Sequence, residues 1–220
     1  MSDKHKDLIA TDKKSGGKAP RVTIIYYSST GTVHDMAVEA AKAAEEEGAK
    51  VRLRPVAETA PEEAIKSNPQ WTEHRKATRH LIEASHEDLL WADAVMLGSP
   101  TRFGLPASQL KSFIDSTGPL WAQGALVNKC ATTFTSSATR HGGQESTILA
   151  INNVFYHWGM IIVPPGYADP IQFAAGNPYG ASHTSQNATV PPTETELDAV
   201  GFQSRRLVQI TRMLKRGDRS

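Results

Sequence analysis

The stretch VTIIYYSSTGTVHDMAVEAAKAA, Val22–Ala44, decides how the rest of the chain is read. It opens with Val22–Tyr27, all β-branched or aromatic, a composition that suits a pleated strand. The run shows no polar face in its alternation, so it reads as a central strand covered on both sides. Ser28-Ser29-Thr30-Gly31-Thr32 follows, small throughout and largely hydroxylic. Val33, Met36, Ala37, Ala40, Ala41 and Ala44 then recur at helical spacing and form one apolar stripe. Strand, tight hydroxyl loop and helix in that order present free backbone N–H groups and the positive end of a helix dipole to whatever lies in the loop. A phosphate suits that setting. The same Ser and Thr residues also serve as ordinary helix caps, and the loop alone leaves both readings open.

The loop has no Gly-Lys-Ser/Thr ending and no further glycines at fingerprint spacing, so it is neither a triphosphate P-loop nor a dinucleotide motif. It carries no Lys or Arg. A phosphate here would rely on hydroxyls and amides, which fits a terminal monophosphate that is not transferred. The pattern after a first buried strand resembles the FMN-phosphate loop of flavodoxin-like proteins.

Working outward, 220 residues suit one sizeable α/β domain. With 24 basic against 23 acidic residues, nothing in the charge asks for nucleic acid, a membrane surface or a strongly charged partner. The single cysteine, Cys130, excludes an internal disulfide framework and a protein-ligated iron–sulfur cluster within one chain, and reads as a small buried residue. No apolar run has the length of a membrane span and the N-terminus lacks a signal-peptide core, so a soluble, cytoplasmic protein is expected. The histidines show no metal-ligand spacing, and no metal site is expected.

Residues 1–20 read as a mobile tail and 21–216 as a single domain. Gly48 suits the end of the first helix, and Ala49–Arg54 a second strand nearer the edge. Pro55–Glu87 reads as a surface excursion with a short helix around Glu73–Ala84. Ala92–Leu97 is a buried strand, followed by a helix with Pro106 in its first turn and Gly118-Pro119 at its end. Lys129–Ser136 and Met160–Val163 are further strands, with a helix over Gln144–Tyr156 between them. Pro164–Val190 reads as a folded loop, and Thr193 with Glu196 as a capping box opening the last helix. Strands alternating with helices predict a three-layer α/β sandwich with a five-stranded parallel sheet, order 2-1-3-4-5, helices on both faces. The polar loops Ser28–Thr32, Pro100–Leu105 and Ser136–Gly143 each follow a strand, so all three reach one rim.

Several longer motifs resemble those of the WrbA-type NAD(P)H:quinone oxidoreductases, FMN enzymes of flavodoxin-like fold. They are Gly98–Gly104, Phe113–Trp121, His141–Glu145, Gly159–Pro164 and Asn177–Gly180, in that order along Val22–Leu214. The resemblance implies that Ser28, Ser29, Thr30, Gly31, Thr32 and Val33 wrap the FMN phosphate. It implies that Pro100, Thr101, Arg102, Phe103 and Gly104 border the flavin ring. Ser136, Ser137, Ala138, Thr139, Arg140, His141 and Gly142 would form the third flavin loop. Trp121 would wall the open face where NADH or NADPH and a quinone take turns, in a homotetramer whose neighbouring subunits complete each site. Phe103 and Trp121 also read as ordinary core aromatics, and Arg102 as a surface charge or an inter-subunit ion pair.

Two positions depart from the family. Thr30 stands where some members carry Tyr at the substrate side, and His157-Trp158-Gly159 stands where relatives often read His-His-Gly. Trp158 is therefore expected to line both the flavin and the substrate. The activity implied is two-electron reduction of quinones to hydroquinones by a ping-pong transfer of hydride through FMN, with no side chain indispensable as acid or base. A flavodoxin-style one-electron carrier and a stress-linked flavin-binding interaction protein are the rival readings. The near-neutral charge speaks against the first, since carriers show an acidic docking face.

Overall fold

The computed structural model describes residues 18–217; most of the expected N-terminal tail lies outside them. The core of the molecule is a parallel sheet. Its strands are β1 (Arg21–Tyr26), β2 (Lys50–Pro55), β3 (Ala94–Arg102), β4 (Leu105–Pro106), β5 (Cys130–Ser137), β6 (Ile161–Ile162) and β7 (Ser182–Thr184). The main path runs β2-β1-β3-β5-β6, all parallel, which is the expected 2-1-3-4-5 order of the five principal strands.

The two extra strands have simple origins. β4 folds back on β3 as an antiparallel hairpin, pairing Thr101 with Pro106 and Arg102 with Leu105. β7 continues the edge position that β6 begins: β6 pairs with β5 at Cys130 and Ala131, β7 at Thr135 to Ser137. The fifth strand is thus one position in the sheet interrupted by an insertion, which contains the short helix α8 described below.

The helices are α1 (Thr32–Glu46), α2 (Glu62–Lys66), α3 (Pro69–Thr78), α4 (His86–Trp91), α5 (Ser108–Ser116), α6 (Gly118–Ala122), α7 (Gln144–Trp158), α8 (Pro170–Ala175) and α9 (Glu194–Gly217). Period-two alternation along the strands divides the core. Val22, Ile24 and Tyr26 face α1 and α9 together with Met96 and Phe134, whereas Ile25, Val95 and Leu97 face α5 and α7 with Leu110, Ile151 and Phe155. Cys130 is buried in the first of these layers, as expected.

Where the helices differ from expectation, proline is the usual reason. Pro69 and Pro119 each sit in the first turn of a helix, the position at which the missing N–H costs nothing, so Gly118-Pro119 opens α6 rather than ending α5. Asn68 caps α3, accepting from the Trp71 N–H at 3.2 Å, so that helix begins earlier than Glu73. Pro106 belongs to the β4 hairpin, and α5 starts two residues later. Pro164–Val190 is not a plain loop but holds α8 and β7. At α9 the backbone N–H of Thr193 donates to Glu196 at 3.0 Å, half of the expected capping box. No helix among the described residues is long and apolar enough to cross a membrane.

Candidate functional site

The carboxyl ends of β1, β3 and β5 meet at one rim, and three contacts join their loops. The first loop turns at Gly31, the N-cap of α1, whose φ is 104°. Only glycine adopts that backbone without strain. Its N–H donates to the Ser28 hydroxyl at 3.1 Å, and no side chain caps the helix. That disposes of ordinary capping as the work of these hydroxyls: the first-turn amides of α1 are left facing the loop. Ser29 is buried, Thr30 half-buried, Thr32 begins α1, and Val33 lies in the core.

The second loop is the β3–β4 turn. Phe103 (φ 54°) and Gly104 (φ 80°) are both left-handed, as a two-residue hairpin with primed turn geometry requires. An aromatic residue in that region is strained, and Phe103 is wholly exposed, at 104%. It is no core aromatic. Thr101 holds the turn by accepting from the Gly104 N–H at 3.1 Å, and the Thr147 hydroxyl of α7 donates to Thr101 at 2.8 Å. Arg102 reaches across to the Ser29 hydroxyl at 3.3 Å, so loops one and two touch. Pro100 is buried at the end of the straight part of β3.

The third loop begins later than its composition suggests, because Ser136 and Ser137 are still in β5 and buried. Ser137 donates to the Thr139 carbonyl at 2.6 Å and accepts from the Gln144 amide at 2.8 Å. Ala138 accepts a backbone bond from Gln186, and Thr139 one from Gly142. Arg140 and His141 are exposed. Gly143 packs so closely on the second loop that a Cβ there would lie 2.8 Å from the Gly104 Cα. The sequence reading carries the polar loop to Gly143 but ends the flavin assignment at Gly142, and does not foresee this contact.

Two expected residues are not brought to the rim. Trp158 is the last residue of α7, a helix that starts at the rim and runs away from it for 15 residues, about 22 Å. It is 5% exposed, with Phe155 at 6.2 Å between ring centroids and Leu126 in the same core layer. Trp158 is therefore packed at the far end of the sheet, away from the rim of its own chain. Trp121 lies on α6, which precedes β5 and so also sits at the far end of its own chain, 55% exposed.

The excursion between β2 and β3 supplies what the sequence did not flag. Glu58 accepts four hydrogen bonds: from Tyr27 Oη (3.0 Å), Trp71 Nε1 (2.9 Å), Gln109 Nε2 (2.8 Å) and the Ala60 N–H (2.9 Å). Burial alone pushes its carboxyl up, but these donors outweigh it and hold the group below its ordinary range. Trp71 and Gln109 thereby tie the excursion to α5 beside the rim. A cleft of about 790 Å³ opens there, lined by Tyr27, Trp71, Arg102, Leu105, Gln109 and Asn153 among others. Nothing but spacing-free polar composition marks Glu58 in the sequence. Among the described residues no cluster of His, Cys, Asp or Glu is placed to hold a metal ion.

These features fit a flavin mononucleotide. The uncapped helix start, the left-handed Gly31 and the hydroxyls of Ser28 and Ser29 offer a donor set that suits a monophosphate.

Comparison with known proteins adds the following. Residues 20–173 match the family model for NADPH-dependent FMN reductase. A Deinococcus radiodurans protein named NAD(P)H dehydrogenase (quinone) is 43% identical over 195 residues, covering 88% of this chain and 96% of that protein. A Sinorhizobium fredii protein of the same name is 42% identical, with 88% and 98% covered. Among solved structures, a flavodoxin, WrbA-like protein from Agrobacterium tumefaciens superposes with a TM-score of 0.64 at 20% identity, covering 89% of this chain and 99% of that one. An archaeal flavodoxin gives 0.57 at 15% identity, with 87% and 99% covered. The fold is flavodoxin-like.

Proposed function

The chain belongs to the NADPH-dependent FMN reductase family, and from that premise we propose that it is an FMN-dependent NAD(P)H:quinone oxidoreductase reducing quinones by two electrons to hydroquinones. The observation that carries this reading is the joining of three loops into one rim, through Arg102 to Ser29, Thr147 to Thr101, and Gly143 on Gly104. The name shared by the Deinococcus and Sinorhizobium relatives supports the substrate class.

In this reading residues 28–33 hold the phosphate, residues 100–104 border the flavin ring, and residues 136–142 run along the ring and ribityl chain. Bound FMN supplies the hydride-accepting and hydride-returning chemistry. The protein's share is alignment: the rigid β3–β4 turn and the cleft beside it orient nicotinamide and quinone against one accessible face. Donor and acceptor occupy that face in turn, since no second nucleotide motif is present in the sequence. The reading carries a cytoplasmic location and one catalytic domain, residues 21–216.

A homotetramer belongs to the same proposal. Trp121 cannot wall the rim of its own chain, because α6 lies at the sheet's other end, yet it is exposed. Phe103 stands uncovered at the rim. Packing the Trp121 face of one copy over the rim of another would cover both.

The deciding experiment is an anaerobic visible spectrum of the purified protein. The flavin band is expected to bleach on addition of NADH or NADPH and to return with a quinone, and initial-rate plots at several quinone concentrations are expected to be parallel. A protein that stays colourless after incubation with FMN, or a flavin band that neither donor bleaches, overturns the proposal.

A further inference from the structure

Beside the phosphate loop stands a group of aromatic and titratable side chains that the proposed reaction does not use. His34, in the first turn of α1, is bonded through Nδ1 to the buried Tyr26 hydroxyl at 2.6 Å. Its ring lies 5.3 Å from the ring of His74, centroid to centroid. His74 comes from α3 in the excursion. Its Nδ1 is 3.6 Å from where a Cβ on Gly31 would be. Between Ser28 and α3 lies a cavity of about 210 Å³, with His74, Arg75 and Arg79 on its wall. The loop itself contributes no cation.

We infer that His34 and His74 complete the phosphate site, so that this chain takes up a proton on this pair when it binds the phosphate of FMN. The inference rests on the reading of residues 28–33 as the FMN-phosphate loop. Without an anion both imidazoles are biased toward the neutral form: burial and the neighbouring His34 push His74 down to about 4, and burial, more than the opposing pull of Asp35, lowers His34. A phosphate placed at Gly31 reverses the balance, because a negative charge within a few ångströms favours the imidazolium.

The other charged groups around the pair do not pre-empt this. On β1, Tyr26 stays protonated, its phenol raised by burial and by Asp35. On α1, burial raises Asp35 while His34 lowers it. On α3, Arg75 is engaged with Glu62; Arg79, the C-cap residue of that helix, lines the same cavity. Glu58 is occupied by its four donors. His80 and Glu83 follow α3, and His80 acts on His34 as a like charge. Tyr26 fixes one nitrogen of His34 and leaves Nε2 for the anion or for His74.

The sign follows from linkage. A group that gains a proton on binding makes the affinity fall as pH rises, between its pKa without ligand and its pKa with ligand. The test is FMN binding to the apoprotein by fluorescence titration from about pH 5.5 to about pH 8.5, the range in which a shifted imidazole titrates, for wild type and His74→Gln. Taking the ratio of the two affinities cancels the titration of the FMN phosphate itself. Wild type is expected to bind about tenfold more tightly at the acid end, one pKa unit's worth, with the ratio closing toward one at the alkaline end. Riboflavin, which lacks the phosphate, is expected to give a flat ratio. Calorimetry on wild type in two buffers of different ionisation enthalpy is expected to show net proton uptake with FMN and none with riboflavin, which keeps the test valid should His74→Gln not fold. FMN binding with a flat ratio and no proton uptake overturns this inference alone. Failure of FMN to bind at any pH overturns it together with the proposed function.

Discussion

Asp93 and Glu58 lie at opposite ends of the same sheet, both held below the ordinary carboxylate range, and the means differ. At the foot, Asp93 accepts from the Arg21 backbone N–H (2.9 Å) and guanidinium (3.0 Å) and from Lys215. Burial raises its pKa, and these two cations more than reverse the effect. The cluster ties the start of β1, the approach to β3 and the end of α9. At the head, Glu58 is held by neutral donors only: a phenol, an indole, an amide and a backbone N–H. Cations at the foot are spent on an internal carboxylate, and midway along β2 Arg52 and Arg54 are likewise spent on Asp88. At the head, neutral hydrogen bonds satisfy Glu58 and tie the excursion to α5, while the nearby cations are engaged elsewhere, Arg75 with Glu62 and Arg102 with Ser29. The foot is built for stability and the head for occupancy.

The largest expected effect is at the foot. Asp93→Ala leaves Arg21 and Lys215 without their acceptor at a site where the carboxylate is only 15% exposed. Because Arg21 and Lys215 are 42% and 32% exposed, the cost is that of lost charged hydrogen bonds rather than of a stranded buried charge. Stability is expected to fall by about 2.5 kcal/mol, while FMN affinity stays within about twofold, some 0.4 kcal/mol. Denaturant melts and a flavin titration on the same preparation check this; a larger loss in FMN affinity than in stability would mean the two ends are coupled. The pH dependence has a definite sign. Because the folded pKa of Asp93 is depressed, its contribution is present above the unfolded pKa and lost as pH falls through the folded one. The stability gap between wild type and Asp93→Asn should therefore narrow on acidification, and not between neutral and alkaline pH.

Trp158 sharpens the same division. As a buried foot residue, Trp158→His is expected to lose about 2 kcal/mol of stability through lost packing volume and a buried imidazole. Quinone Michaelis constants should not move. A change in those constants with unaltered stability would return Trp158 to the substrate face and place the boundary between the two ends wrongly.

At the head, Gly31→Ala separates backbone strain from crowding. A Cβ has room, with His74 Nδ1 the nearest atom at 3.6 Å, but the φ of 104° is strained for any L-residue. The strain falls on the state that needs this conformation, so the expected cost is about tenfold in FMN affinity, roughly 1.4 kcal/mol, with a smaller shift in apoprotein melting. Equal FMN affinities would show that the loop does not need Gly31 in this conformation to hold the phosphate.

What the sequence made legible divides along the same line. The β1–loop–α1 unit could be read because its composition changes in step with its structure, from β-branched residues to hydroxyls to alanine-rich helix. The order of the five principal strands followed from their alternation with helices. The β3–β4 hairpin could not be read, because Leu105-Pro106 looks like the opening of a helix and Phe103 has no business at positive φ by propensity alone. The second half of the fifth strand was hidden by an insertion, since Ser182–Thr184 is too short and too polar to show a strand pattern. Trp158 lies away from its own rim for a different reason: the resemblance assigns it by position in a motif, whereas its placement depends on where α7 ends. Glu58 and His74 come from a segment with little periodicity, and their role exists only once α3 packs beside the loop.

Glu58→Gln is the smallest change that bears on the contrast, and the most specific. Each oxygen of Glu58 receives two donors: Oε2 takes Tyr27 and Trp71, Oε1 takes Gln109 and Ala60. Glutamine keeps the shape and one oxygen, but turns an NH₂ toward one pair of donors that then has no acceptor. The half-buried position lets water reach part of the hub, so the expected loss is about 1 kcal/mol, near the low end for an unsatisfied buried donor. The loss should be local. If neutral bonds at the head order the excursion alone, limited proteolysis should cut faster between Pro55 and Glu87 while the global melt shifts by only a few degrees. FMN affinity should fall modestly, because His74 and Trp71 ride on the same α3. Equal cutting rates and an unchanged flavin affinity would mean that the excursion is held by its apolar contacts. In that case Glu58 would be a passive acceptor, and the contrast with Asp93 would lie in composition and not in function.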